Sequence, residues 1–258
     1  DYTLRGKGQS RSWALNQTLY FVMRFSQPIA GYVVALDDAE KGALQKAEWR
    51  NVKAVASFDV SSGKPLLVKV GLSPVSADGA LKNLEAEQKG FDFGATLAAA
   101  KKEWNKELSK IQVEGGTKDE QTIFYTALYH TNINPNVYMD VDGQYRGTDD
   151  KIHTAKDFTN YTVFSLWDTH RAYHPLMTII NQKKTTDWIN TFLAQDEQGG
   201  MLPVWELSAN ETFCMIGYHS VPVIVDAYQK GIRGFDTQKA LAAMRRYSES
   251  DRFGLAHY

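Results

Sequence analysis

Phe91 to Val113, FDFGATLAAAKKEWNKELSKIQV, is where the texture of the chain changes, and its reading decides the fold. Leu97, Ala100, Trp104, Leu108 and Ile111 recur at three- and four-residue intervals and form one apolar stripe, with KKE (101–103) and NKE (105–107) opposite. That is the period of an α-helix, and Gly115-Gly116 closes it. Such a helix either connects two domains, as a linker over 94–117, or packs on what precedes it. Spacing alone leaves both open.

Upstream, over residues 1–93, the pattern is that of strands. Thr18 to Phe25 (TLYFVMRF), Tyr32 to Leu36 and Pro65 to Leu72 (PLLVKVGL) are short and rich in apolar and β-branched residues. Val52 to Phe58 alternates, with Val52, Ala54, Ala56 and Phe58 on one face. Turn residues at 61–64 (SSGK) and at Asp37, Asp38 and Gly42 separate them. Consecutive antiparallel strands of a sandwich are expected, interrupted by a helix at Ser76 to Gln88 that Ser76 can cap.

Downstream, residues 118–258 read as helices joined by polar loops that carry aromatic residues. Asp119 to His130, Tyr161 to Asn181 with a bend at Pro175, Lys184 to Ala194, Val221 to Lys230 with Pro222 in its first turn, and an Asp236-capped TQKALAAMRRY are expected. Tandem helices of this kind suit a helical toroid whose loops form one face of a cup. Val137 to Arg146 reads as an inserted hairpin turning at Asp142-Gly143. The acidic GTDDK at 147–151 lacks the alternating ligands of an EF-hand and reads as a solvated loop.

The 258 residues suffice for one large domain or two ordinary ones. With 29 Lys and Arg against 30 Asp and Glu, no global field favours phosphate backbones or anionic lipid, so nucleic acid is not an expected partner. The lone Cys214 excludes an internal disulfide and a zinc site built from several thiolates. No apolar run approaches the roughly 20 residues of a membrane span, and DYTLRGKGQSR lacks a signal-peptide core. Six Trp, 13 Tyr and 12 Phe are mostly core material, but many lie in the second half beside polar residues, a mixture that suits sugar rings.

Two clusters carry the chemistry. In Trp167-Asp168-Thr169-His170-Arg171, Asp168 and Arg171 stand at i and i+3 on a helix and can pair, fixing a carboxylate beside an indole for sugar hydroxyls. A surface ion pair beside a core tryptophan accounts for the same spacing. Gly200 to His219 gathers Trp205, Glu206, Asn210, Glu211, Cys214 and His219. Either glutamate, set against Trp205, would have the raised pKa of a general acid, whereas Asn210 and Glu211 could equally cap the next helix. His170 and His174 have metal-ligand spacing, but HRAYH lacks the glutamate of HExxH. Cys214 with His219 lacks the flanking signature of a thiol nucleophile.

NYTVFSLWDTHRAYHPLMTII (160–180), GGMLPVWELSANETFCMIGYHSVPVIVDAYQKGI (199–232), FYTALYHTNINPNVYMDVDGQYRG (124–147) and, more weakly, VKVGLSPVSADGALKNLEAE (68–87) resemble glycoside hydrolase family 92, bacterial calcium-dependent exo-α-mannosidases. The resemblance implies the end of an N-terminal β-sandwich (1–93), a linker helix (94–117) and the first half of an (α/α)6 barrel (118–258). It implies hydrolysis of terminal α-mannosides, α-1,2-linked or related linkages of N-glycans or mannan, with inversion and with calcium on the sugar hydroxyls. Inversion needs two carboxyls roughly 6.5–9.5 Å apart. A periplasmic, cell-surface or secreted bacterial location follows from the family alone.

By the same resemblance, Trp167, Asp168 and Arg171 surround the terminal mannose, with Asp168 on its hydroxyls, and Asn210, Glu211 and Cys214 line that pocket from the next loop. The chain departs from the family pattern at His170, where phenylalanine is common, at Phe213, where glycine is common, and at Pro222. The family's Glu-Gly-Asn acid motif and Asn-Asp-Asp base motif do not occur, so no catalytic acid, base or metal ligand is assigned, and calcium ligands are expected mainly outside this segment. The chain is expected to be an internal portion of a longer enzyme that contributes mannose contacts without turning over alone. The alternatives are a noncatalytic glycan-binding protein or another (α/α)6-barrel enzyme such as a glycoside phosphorylase.

Overall fold

In the computed structural model, residues 2–251 are described; Asp1 and residues 252–258, the tail of the expected 118–258 segment, lie outside them. The first half is built from strands: β1 (Thr3–Ser10), β2 (Gln17–Phe25), β3 (Gly31–Leu36), β4 (Ala39–Glu40), β5 (Val52–Ser57) and β6 (Val68–Ser73). They do not form one run of consecutive pairs. β2 lies between β1 and β6, while β3 to β5 make a separate sheet in the order β4-β3-β5. Both sheets are antiparallel.

Helix α1 (Ala77–Glu87) starts where Gly79 donates its N–H to Ser76 Oγ at 2.9 Å. It lies on β6 and β2, burying Val22, Ala80 and Leu84. The approach is close enough that a Cβ on Gly71 of β6 would stand 2.2 Å from the Ala80 carbonyl oxygen, so only glycine fits.

α2 (Phe93–Leu108) is capped by Asp92, which accepts the Ala95 N–H at 2.8 Å. None of its residues is buried. Trp104 packs on Tyr129 of α3 (Lys118–His130), with ring centroids 4.5 Å apart, rather than on the strands. The apolar stripe of α2 thus meets the helical half through Trp104, while Leu97 and Ala100 stay exposed. Glu107 accepts from Lys184 at 3.2 Å and ties the end of α2 to that half as well.

Beyond α3 come β7 (Asn136–Val137), β8 (Gln144–Arg146), β9 (Ile152–Thr154), β10 (Tyr161–Thr162), β11 (Phe164–Ser165), α4 (Leu166–Thr169), α5 (Tyr173–Ile180), α6 (Gln182–Gly199), β12 (Trp205–Leu207), β13 (Asn210–Glu211), α7 (Ser220–Gln229) and α8 (Thr237–Ser248). Two expectations fail here. The arms of the expected 137–146 hairpin do not pair with each other: β7 pairs with β10, and β8 with β9. Asp140 between them is buried, accepting from Ser73 Oγ at 2.7 Å and Asn83 Nδ2 at 2.8 Å, which draws the turn toward α1 and β6. The expected single helix from Tyr161 to Asn181 is instead β10, β11, α4 and α5. Its break falls at Arg171-Ala172, while Pro175 sits in the first turn of α5, where a missing N–H costs no helical bond.

The core lies among α5, α6, α7 and α8. Trp188, Ile189, Phe192 and Leu193 of α6 pack with Met177, Val223, Ile224, Ala227, Ala240 and Ala243. Each large apolar side chain buried this way contributes about 1.5–3 kcal/mol. Burial in α6 extends beyond its apolar residues, since even Thr185, Asp187, Thr191 and Asp196 are buried. Lys183 pairs with Asp187, and Arg246 of α8 with Asp196. Gly200, at φ 84°, ends α6 and turns the chain into β12.

Candidate functional site

The two motif segments, some 40 residues apart in sequence, are brought together by a small sheet in the order β11-β12-β13. Phe164 stands opposite Glu206, and Ser165 opposite Trp205. α4 starts directly after β11, so Trp167 and Asp168 closely follow Ser165, the residue opposite Trp205. At the far end of α4, the His170 ring stacks on His219 with centroids 4.0 Å apart and planes 4° apart. His219 immediately precedes α7, so the loop 212–218 is held between the two contacts. Burial, then the neighbouring His170 and Arg171, hold the His219 pKa below the ordinary range. His170 and His174 share no helix face: His174 is buried against Trp188 and Phe192 with its pKa pushed down to about 3, so the zinc spacing is accidental.

Trp167, Asp168 and Arg171 are exposed, as is Cys214. The Asp168–Arg171 pair does not form, because α4 ends at Thr169 and Arg171 leaves the helix face. Asp168 is held instead by the Ser165 hydroxyl, which donates to Oδ2. Its carboxylate keeps room for further donors.

Asn210 and Glu211 form β13 rather than capping α7, which begins nine residues later. Glu211 turns inward and accepts the N–H groups of Val204 (2.8 Å), Trp205 (2.9 Å) and Phe213 (2.9 Å). Asn210 binds the backbone of Asn16 and the Ser208 carbonyl. Glu206 is 1% exposed. It accepts from Thr162 Oγ1 (2.9 Å) and from the N–H groups of Val163 (3.1 Å) and Ala209 (2.6 Å). Burial pushes the Glu206 carboxyl up to about 8 and raises Glu211 as well. A neutral acid at pH 7 is what a proton donor needs, yet Glu206 is sealed from solvent and serves the backbone.

That service is specific. Val163 (φ 68°), Ser208 (φ 49°), Ala209 (φ 62°) and Phe213 (φ 49°) all lie in the left-handed region that side chains other than glycine resist. The two glutamates hold three of these four amides. Phe213, where the resemblance leads glycine to be expected, has a left-handed backbone of the kind glycine adopts without strain. Sequence reasoning missed this role. It also missed the turn RSWALN (11–16), whose signal was a tryptophan where a hairpin turn usually carries Gly, Asn or Asp.

A calcium ion takes six to eight oxygen ligands. Among the described residues no three His, Cys, Asp or Glu converge on a metal-sized position, so these side chains do not make a calcium cage. No described helix is long and apolar enough to cross a membrane. A separate concavity of about 640 Å³, lined in part by His153, Asn190, Arg233 and Lys239, contains none of Trp167, Asp168, Arg171, Asn210, Glu211 and Cys214.

Residues 1–73 match the sequence model of the glycosyl hydrolase family 92 N-terminal domain, and residues 79–257 that of the family's catalytic domain, which makes the class a glycoside hydrolase. Among solved structures, the family GH92 alpha-mannosidase BT3965 from Bacteroides thetaiotaomicron is 36% identical over 98% of this chain and 35% of its own, with a TM-score of 0.90. The family GH92 inverting mannosidase BT2199 from the same organism is 30% identical over 93% of this chain and 33% of its own, with a TM-score of 0.84. No curated protein sequence matches. The chain belongs to glycosyl hydrolase family 92, and it spans about a third of the length of these structures.

Proposed function

We propose that the protein containing this chain hydrolyses terminal α-mannosides with inversion and calcium assistance, and that this segment supplies part of the mannose subsite. The observation that carries the reading is the joining of Trp167-Asp168 to the 205–218 loop through β11 and β12, with Trp167, Asp168 and Cys214 exposed. An exposed indole beside a carboxylate held by one hydroxyl suits a sugar ring, whose C–H face stacks while its hydroxyls donate. One relative of known structure is an alpha-mannosidase seen in complex with mannoimidazole, in line with a mannose-shaped subsite.

In this reading Asp168 accepts hydroxyl hydrogen bonds and Trp167 provides the apolar wall. Glu206 and Glu211 hold the loops from behind. The proton-transfer carboxyls and the calcium ligands belong to other parts of the protein. Incubating the full-length protein with an aryl α-mannoside and with α-1,2-mannobiose should release mannose, and NMR should show β-mannose as the first anomer. Failure to cleave any α-mannoside sinks the proposal; retention of the α-anomer sinks the inverting mechanism.

A further inference from the structure

The turn between β1 and β2 reaches across to the candidate site. Asn16 donates its backbone N–H to Asn210 Oδ1, and its carbonyl accepts from Asn210 Nδ2, both at 3.0 Å. Asn16 Nδ2 donates to Asp150 at 2.8 Å, and Gln17 Nε2 to Ser208 Oγ at 3.1 Å. Ala14 is buried. The turn is thus clamped at its base, yet Trp13 within it is 63% exposed. Its ring meets Trp205 edge to face, with centroids 6.1 Å apart and planes at 73°. Trp205 in turn stands opposite Ser165, the residue that holds Asp168.

A large aromatic side chain normally gains by burial. Here four hydrogen bonds fix the turn, and they leave an indole face open beside the sugar-facing residues. The two rings stand at 73° to each other and so form a corner, and the exposure of Trp13 shows that Trp205 does not cover it. Both hydrogen-bonding ends of the Asn210 amide are already committed, chiefly to the Asn16 backbone, so little of that side chain is left for a sugar hydroxyl.

We propose that Trp13, contributed by the N-terminal strands, is a further sugar-stacking and specificity-determining residue of the site, taking the C–H face of a pyranose ring. Asn210 is a positioning residue that registers Trp13 rather than a direct sugar ligand. This rests on the mannosidase reading and adds to it a residue from the other half of the chain.

The test uses the full-length protein and kcat/KM on α-mannobiose. Trp13→Ala should lower kcat/KM about tenfold, the scale of one lost stacking contact, with an unchanged thermal midpoint. Trp13→Tyr, which keeps a ring face, should retain most activity. Should Trp13→Ala fail to fold, Trp13→Leu, bulky but without a ring face, must show the same loss. Asn210→Ala should reduce activity through the same unit, so adding Trp13→Ala to it should cost no more than about twofold further. A Trp13→Ala enzyme within about twofold of wild type, or one that loses thermal stability but not activity, overturns the proposal. So do losses from Trp13→Ala and Asn210→Ala that multiply. If the wild-type protein cleaves no α-mannoside, the mannosidase reading has failed instead.

Discussion

Asp168, on α4 just after β11, and Glu206, on β12, are close in the fold, since Ser165 of β11, which holds Asp168, lies opposite Trp205, next to Glu206. Their surroundings are opposite. Asp168 is exposed on a four-residue helix with one hydroxyl donor. Glu206 is sealed in, with Thr162, Val163 and Ala209 donating to it. An open carboxylate with unfilled acceptor positions is available to a ligand; a buried one whose acceptors serve strained backbone is part of the frame. A carboxylate's presence in a family motif does not tell which of these it is. Its donors do.

The largest expected effect is on the buried side. Glu206→Ala strands two backbone amides and a hydroxyl, and it should destabilise the protein by about 4 kcal/mol in a denaturant titration. The pH dependence follows from the same group. The folded carboxyl keeps its proton up to about 8, whereas the unfolded chain releases it near 4.5, so the folded state holds an extra proton between those values and loses stability as pH rises. Below 6.5 the buried His174, folded pKa about 3, acts in the opposite sense, because there the unfolded chain binds the extra proton. The clean window is therefore pH 6.5 to 8. Denaturation midpoints should fall across it in wild type, and the fall should shrink in Glu206→Ala, any remainder coming from Glu211, whose carboxyl burial also raises; a flat wild-type profile would show that the buried acid is ionised.

On the exposed side the signature reverses. Asp168→Ala should change stability by less than about 0.5 kcal/mol, since it removes only a surface contact. Its kcat/KM on α-mannosides should drop about a hundredfold, as expected for a charged hydrogen-bond partner of the sugar. A variant that keeps full activity would break the contrast with Glu206.

Much of the fold was legible where a single side chain decides an end. Ser76 and Asp236 each accept an N–H in the first turn of the helix they begin, so α1 and α8 fall where capping residues place them. The strand runs were legible too, but not their pairing, because β2 reaches past β3 to β5 to find β6. The stretch from Tyr161 to Asn181 misled because WDTHRAYHPLMTII has helical periodicity. Val163 is left-handed and its N–H goes to Glu206, 43 residues away, a long-range bond that local periodicity cannot register. The site was half legible for the same reason. Motif positions placed its candidate residues in two segments, but the inward turn of Glu211 and the commitment of Asn210 to Asn16 depend on partners that local sequence does not show.

The smallest effect sharpens the comparison most, because it acts on a backbone that Glu211 holds. Phe213 sits at φ 49°, and its N–H donates to Glu211 Oε1 at 2.9 Å. A non-glycine residue there carries about 1–2 kcal/mol of conformational strain. Glycine removes that strain but gives up a half-exposed ring and adds freedom to the unfolded chain, a loss of about 0.5–1 kcal/mol. The net expectation for Phe213→Gly is a stabilisation of about 0.5–1 kcal/mol, read from the shift in denaturation midpoint. Combining it with Glu211→Ala separates strain from support. If Glu211 restrains a strained amide, Glu211→Ala should cost less in the glycine background than in wild type, a coupling that a double-mutant cycle measures. Equal costs in the two backgrounds would mean that Glu211 acts through Val204 and Trp205 alone, and that the loop at 213 is held by its own side chain.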